Sequence, residues 1–376
     1  MNSRFVCLVA CLLVVACGPV VAPDVDGGTE PERDAGREAA DAGTTLDAGV
    51  VVDAGVTVDA GVTVDAGLVA DAGLVADAGL AADGGLTLAI RAAAARQTAL
   101  THPLCTAIEP FYWEIGDVDG GLASGARGTM YGADTELPIA SASKWVFGAY
   151  VVERLKTDLT QLDVNALTMR AGYSSFTSCA GTTTVATCHL SGMNGVLTPA
   201  NVGRFDYGGG HFQKYGVDLG MGAMTNAMLE TEFQRVLGAD LTLGFNSPQL
   251  AGGMNGTATG YARLLRKILS GSLAIKAQLG ANATCTLRGP SCPTAMGSPG
   301  DEAMHYSYGH WVEDAPGVGD GAFSSAGAFG FYPWIDSTKT LYGVVSRREL
   351  SGGAGMDSLK CGRQIRKAFV TGLPQP

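Results

Sequence analysis

Ser141 and Lys144 stand three residues apart in Leu137-Pro138-Ile139-Ala140-Ser141-Ala142-Ser143-Lys144, and the apolar-periodic segment Trp145 to Val152 follows at once. Three residues is about one helical turn, so the spacing puts both side chains on one face of a helix, with the hydroxyl at its electropositive N-terminus. A free hydroxyl is a poor nucleophile. A lysine amine desolvated enough to lose its proton can serve as its base, which makes the pair a candidate for covalent acyl transfer. The same pattern also arises when a helix-capping serine precedes a surface lysine, so the rest of the chain has to decide. There is no H-E-x-x-H helix, G-x-S-x-G elbow or phosphate loop, and His102, His189, His211, His305 and His310 are not at metal-ligand spacing.

The elements that would position this pair can be read from periodicity. Phe111 to Ile115, the Gly120-Gly121 turn and Ala126-Arg127-Gly128 predict a hairpin, and Leu341 to Val345 a strand. Trp145 to Leu155, Tyr261 to Leu269 and Leu359 to Val370 have helical spacing. Strands at both ends with helices between them predict a mixed α and β (α+β) domain over residues 98–376, long enough for a sizeable core.

Glu136 to Tyr150 resembles the nucleophile helix of the serine β-lactamase and penicillin-binding-protein superfamily, the group that includes class C β-lactamases, family VIII esterases and DD-peptidases. Phe205 to Gly216 resembles its second motif in the Tyr form, with Tyr207 as the partner of Lys144 and Gly209 where the motif carries Asn. His211 nearby reads either as a helper or as a loop histidine with a structural hydrogen bond. Pro248 to Leu265 resembles the superfamily's Ala-Gly-Gly turn that enters a helix, a marker of fold without chemistry. Gly321 to Asp336 matches the glycine spacing and Trp-x-Asp tail of the third motif, with Ser325 in place of the usual Lys or His. Met304 to Val312 resembles a strand of these hydrolases, and the glycine run 208–210 reads as loop.

The resemblance implies an antiparallel sheet flanked by the terminal helices, a mainly helical subdomain, and an active site at their junction. It implies Ser141 as nucleophile, Lys144 and Tyr207 as proton carriers, and the backbone N–H groups of Ser141 and Ala328 as oxyanion hole. Gly209, Ser325, Ala326 and Gly327 would contact substrate. No metal or cofactor is expected. The substrate would be an ester, an amide or a cell-wall peptide, and less readily a β-lactam, because no cation stands at 325 to meet a carboxylate. The rival expectation is a non-enzymatic envelope binding protein that kept the fold. Gly209 and Ser325 favour it, and the intact Ser141, Lys144 and Tyr207 oppose it.

The ends of the chain speak to location. Arg4 and the apolar run Phe5 to Ala16 predict an export signal over 1–16, and Val14-Val15-Ala16-Cys17 resembles a bacterial lipobox with Cys17 as the lipid-bearing residue. The expectation is a lipid-anchored envelope protein, facing the periplasm or the surface, with lipid as its membrane link. Asp recurs every six residues from Asp41 to Asp83, so residues 17–97 read as a disordered acidic spacer. Residues 18–90 hold fourteen acids and two bases, whereas residues 91–376 are balanced at twenty-two of each, so no basic surface for nucleic acid is implied. Beyond Cys7, Cys11 and Cys17, six cysteines remain in an oxidising compartment, none as a C-x-x-C pair. Short spacings suit Cys179–Cys188 and Cys285–Cys292, which leaves Cys105–Cys361 to tie the domain's start to its end.

Overall fold

The structure is a computed structural model that describes residues 85–376; the signal segment, Cys17 and the spacer up to residue 84 lie outside the described residues. The expected spacer boundary at 97 moves, because residues 88–97 belong to helix α1 (Leu88–Thr101). Thr87 caps it by accepting a hydrogen bond from Ile90 N at 3.3 Å. Its buried residues Ala92, Ala94, Ala95, Thr98 and Ala99 are small, which lets the helix lie close to the rest of the fold. In the sequence this alanine run is hard to tell from the low-complexity segment before it.

A short α2 (Pro103–Thr106) leads into the hairpin of β1 (Phe111–Gly116) and β2 (Gly121–Arg127), closed by Asp117 N donating to Gly120 O at 2.9 Å. The strand β3 (Leu137–Pro138) passes through a 3-10 turn, Ala140–Ala142, into α3 (Ser143–Leu155). Helices α4 (Gln161–Leu167), α5 (Val185–His189), α6 (Gly210–Gly216) and α7 (Asn226–Leu237) form the helical part, followed by β4 (Gly244–Phe245), β5 (Met254–Gly256), α8 (Ala258–Ser270) and α9 (Ile275–Gln278). The chain finishes with β6 (Thr284–Cys285), β7 (His305–Tyr306), β8 (Trp311–Glu313), β9 (Ala322–Ser324), β10 (Tyr332–Ile335), β11 (Tyr342–Ser346) and α10 (Ala354–Thr371).

Eight strands make one antiparallel sheet in the order β2-β1-β11-β10-β9-β8-β7-β6, and β3-β5-β4 make a second, smaller one. The large sheet is covered on both faces. Arg366 of α10 lies over the Trp334 ring, 4.8 Å from its centroid, whereas Arg266 of α8 donates to the Tyr342 hydroxyl at 3.0 Å on the other face. Strands so enclosed carry few polar side chains, and β9, β10 and β11 are buried at every position. The α+β architecture expected from the sequence is the one observed.

Helix α3 is seated on the sheet through backbone contact. The segment Met304 to Val312, expected as one strand, is a hairpin whose turn carries Tyr308 and Gly309. A Cβ on Gly309 would lie 2.2 Å from Lys144 O, and one on Gly148 would lie 2.3 Å from Tyr308 O. Glycine at both positions brings the helix and the turn together, and Gly309 also adopts φ +77°. On the helical side, Phe147, Tyr150, Phe212, Tyr215, Phe233 and Phe245 stack into one aromatic cluster, with centroids 4.6 to 6.4 Å apart.

The three cysteine pairs are bonded as expected, Cys105–Cys361, Cys179–Cys188 and Cys285–Cys292. Helix α10 is further tied to the sheet by a buried charge cluster. Glu313 accepts from Arg363 Nε at 3.1 Å, Arg366 Nη2 at 3.0 Å and the Tyr332 hydroxyl at 2.5 Å; Arg366 also meets Asp320 and Arg363 meets Glu302. Removing one member of a buried ionic network strands the others without solvent. Glu313→Ala is therefore expected to cost about 3–5 kcal/mol, which in a domain of this size lowers the thermal midpoint by roughly 10 °C. Calorimetry of the two proteins checks it, and an unchanged midpoint would show that the cluster contributes nothing.

Candidate active site

The backbone turns sharply just before the candidate nucleophile: Ala140 has φ +45°, and Ser141 sits in the 3-10 turn that feeds α3. A positive φ at a non-glycine residue is strained and held only by its surroundings. The hold is visible in Ser143, which is fully buried, donates to Ala140 O at 2.6 Å and accepts from Met254 N at 3.3 Å. Of the two hydroxyls in the motif, Ser143 is consumed by structure. Ser141 is half-buried and receives a hydrogen bond from Lys144 Nζ at 2.9 Å.

Lys144 is buried, and its second bond goes to Ala251 O at 2.8 Å. Its amine lies 4.9 Å from the centre of the Tyr207 ring. No carboxylate is among these partners, so desolvation acts unopposed and lowers the amine to about 7. Burial pushes the Tyr207 phenol up to about 12, opposed by its hydrogen bond with Ser141. Tyr207 stacks on Trp311 at 5.4 Å and meets Tyr306 edge-on at 5.8 Å, which holds the ring against the lysine. The Ser141 and Lys144 pair and Tyr207, predicted from two distant segments, are thus brought together.

Two expectations change in this region. Residues 208–210 are not all loop, since Gly209 precedes and Gly210 opens α6. His211 is a helix residue, buried, with Nε2 on Asp206 O at 2.9 Å, and burial lowers it to about 4. At neutral pH it is an uncharged structural residue. Gly209 packs on an aromatic side chain: a Cβ there would come within 2.9 Å of the Phe176 ring, and one on Gly208 within 1.8 Å of Ser174 O. The half-exposed Phe176 fills the space next to residue 209, on a segment pinned by Cys179–Cys188 and by Asn194, whose Oδ1 accepts from Thr177 N at 2.6 Å.

The third-motif segment leaves β9 and lies along the nucleophile turn. Ser325 is buried and donates to Ser141 O at 3.0 Å, so its hydroxyl braces the backbone instead of facing outward where the motif's cation would be. Gly327 abuts Ile139, where a Cβ would lie 2.2 Å from the carbonyl oxygen. Ala326 is half-buried, and Ala328 follows in an exposed turn closed by Gly330 N donating to Gly327 O at 2.8 Å. The sequence reading gave no chemistry to Ala251 and overlooked Phe176, Gln213 and Ser143. The Ala-Gly-Gly turn was visible, but a contact made by its backbone carbonyl leaves no signature in residue type.

Filling position 209 tests this packing. Gly209→Asn is expected to destabilise the domain by about 1–3 kcal/mol through overpacking, and Phe176→Ala in the same chain is expected to recover most of that loss. Thermal unfolding of the single and double variants checks it; equal losses would place Phe176 elsewhere.

No protein-family model and no curated protein matches the chain. Solved structures do. A candidate β-lactamase from Bacteroides dorei DSM 17855 aligns with a TM-score of 0.52 at 21% identity, covering 70% of this chain and 93% of its own. A β-lactamase from Mycobacterium bovis aligns at 0.50 with 14% identity, covering 70% and 96%. EstCE1, a hydrolase with promiscuous acyltransferase activity, aligns at 0.53 with 15% identity, covering 75% and 98%. With the sheet order and the terminal helices described above, these alignments show that the chain has a β-lactamase-like fold.

Proposed function

We propose that this protein is a serine hydrolase that works through an acyl-enzyme on an uncharged ester or amide, secreted to the cell envelope and tethered there through Cys17. The observation that carries the catalytic part is the buried Lys144 amine, 2.9 Å from Ser141 Oγ and lowered to about 7 with no acid beside it.

The shifted values divide the roles. An amine near 7 is neutral in about half the molecules at neutral pH, whereas a phenol near 12 is ionised in about one in 10⁵. Lys144 is therefore the base and Tyr207 a neutral hydrogen-bond donor. Ser141 Oγ attacks the carbonyl carbon while Lys144 Nζ takes its proton, and the oxyanion is held by the N–H groups of Ser141 and Ala328. Collapse breaks the bond to the leaving group, which takes a proton from Lys144 with Tyr207 relaying it. Water then attacks the acyl-Ser141 ester with Lys144 as base, releasing the acid and restoring the hydroxyl.

The substrate class follows from the groups around the serine. Ser325 Oγ is committed to Ser141 O, Gly209 carries no side-chain amide, and Phe176 supplies an apolar ring beside residue 209. A carboxylate-bearing substrate, whether a penicillin or a cell-wall peptide terminus, would lack one charge-assisted contact worth about 1.5–3 kcal/mol, roughly a ten- to hundredfold loss relative to a site with a cation at 325, so it has no advantage over a neutral ester.

Intact-mass analysis of the full chain with a short-chain activated ester, a fluorescent penicillin and a fluorophosphonate is expected to show a single adduct that Ser141→Ala removes, formed faster from the ester than from the penicillin. No adduct and no turnover with any of the three would leave the non-enzymatic binding-protein reading in its place. The rate of acylation is expected to rise with pH and level off above about 7, as Lys144 loses its proton, and Lys144→Met to lower it by about 10²–10⁴. A pH-independent rate would remove Lys144 from the base role.

A further inference from the structure

We infer that Gln213 is a positioning residue for Lys144, because it holds in place the turn whose Ala251 carbonyl orients the lysine amine toward Ser141. The inference rests on the acyl-transfer reading above and adds a component that no motif supplies.

Gln213 lies on α6, six residues beyond Tyr207, and is fully buried. Its amide is saturated by main-chain groups from outside its own helix. Nε2 donates to Val185 O at 3.0 Å and to Pro248 O at 2.9 Å, and Oε1 accepts from Leu250 N at 3.1 Å. Two of the three bonds end on residues 248 and 250, and the next residue along is Ala251, whose carbonyl takes Lys144 Nζ at 2.8 Å. The turn itself is stiff: Gly253 N donates to Gln249 O at 2.7 Å and Asn246 N to Gly253 O at 2.8 Å. A stiff turn moves as a unit, so anchoring Pro248 and Leu250 to α6 also anchors the Ala251 carbonyl.

The side-chain type matters. Two carbonyls and one N–H converge on this point, and a primary amide offers two donors and an acceptor in one plane. An ionised carboxylate has no donor for the carbonyls, and an apolar side chain satisfies none of the three groups.

The chemistry depends on this anchoring because a neutral amine has two N–H bonds and one lone pair. In the ammonium form Lys144 Nζ donates to both Ser141 Oγ and Ala251 O; once it is neutral, the face of Tyr207 and the carbonyl of Ala251 take its two N–H bonds and the Ser141 contact reverses, the lone pair accepting the hydroxyl proton. The titratable groups around the amine are Tyr207 and His211, both uncharged at neutral pH. Among the described residues, Ala251 O is thus the carbonyl acceptor that keeps the lone pair aimed at the serine. Displacement of a reacting group by about 1 Å commonly costs on the order of 10²-fold in rate.

Gln213→Met keeps the volume and removes the amide. Gln213→Glu keeps the acceptor always and a donor only when protonated. Both are compared with wild type for Ser141 acylation by the activated ester and the fluorophosphonate between about pH 5 and 8.5, alongside thermal unfolding. Gln213→Met is expected to lower kcat by roughly 30- to 100-fold with KM within about threefold, in proportion at every pH. For Gln213→Glu, the rate relative to wild type is expected to climb as pH falls, since protonation restores one donor; this variant carries the test alone if Gln213→Met does not fold. A folded Gln213→Met that acylates within threefold of wild type, or a Gln213→Glu ratio flat with pH, overturns the inference and leaves the acyl-transfer reading standing. A wild-type chain that forms no Ser141 adduct overturns both.

Discussion

A charged ammonium is costly to bury, and the site is organised around the burial of one. Lys144 has no carboxylate to repay its desolvation, so its surroundings favour the neutral amine and leave a base where water would leave an acid. The surrounding groups are fitted to that outcome. The amine finds a carbonyl at Ala251, an aromatic face at Tyr207 and a hydroxyl at Ser141, each of which can be met without a counter-ion. A nearby Asp or Glu would make the pocket more stable and chemically inert, since it would hold the proton on the lysine.

The same constraint accounts for the backbone-heavy construction nearby. Close backbone approaches here are made by glycines: Gly148 and Gly309 seat α3 on the sheet, and Gly208 and Gly209 let residues 174–176 press onto the start of α6. The absence of a side-chain amide at 209 is thereby joined to the presence of Phe176. The two belong to one arrangement, in which an aromatic ring fills the space that a side chain at 209 would take.

Much of this could be read from residue order. The cysteine parity and the alternation in Phe111 to Ile115 are local patterns with one dominant physical meaning, and the hairpin and the three disulfides follow them, whereas the serine and lysine at helical spacing and the tyrosine ahead of a glycine run gain meaning only from their order along the chain. What could not be read was relational. Helix α1 hides in an alanine-rich stretch because small residues carry little periodic contrast, and its identity depends on α10 lying against it. Ala251 acts through a carbonyl that every residue type possesses. Gln213 looks like an ordinary polar helix residue until the carbonyls of Val185 and Pro248 are found on either side of its amide. Ser325 shows what is missing from the third motif, but not that its hydroxyl turns inward to the backbone of Ser141.

The two ends of the described chain meet. Leu86 packs on Gly372 just past α10, Gln375 N donates to Thr98 Oγ1 at 2.9 Å, and Cys105 is bonded to Cys361 midway along the same helix. The opposite end of α10 touches Gly327, beside the nucleophile turn, and a helix of eighteen residues separates the two ends by about 27 Å. A mechanical load arriving through residue 86 would therefore enter α1, cross the covalent link into the middle of α10 and be borne there. The strands and turns that hold Ser141 lie off that path, so tension at the N-terminal end can be carried without being felt at the serine.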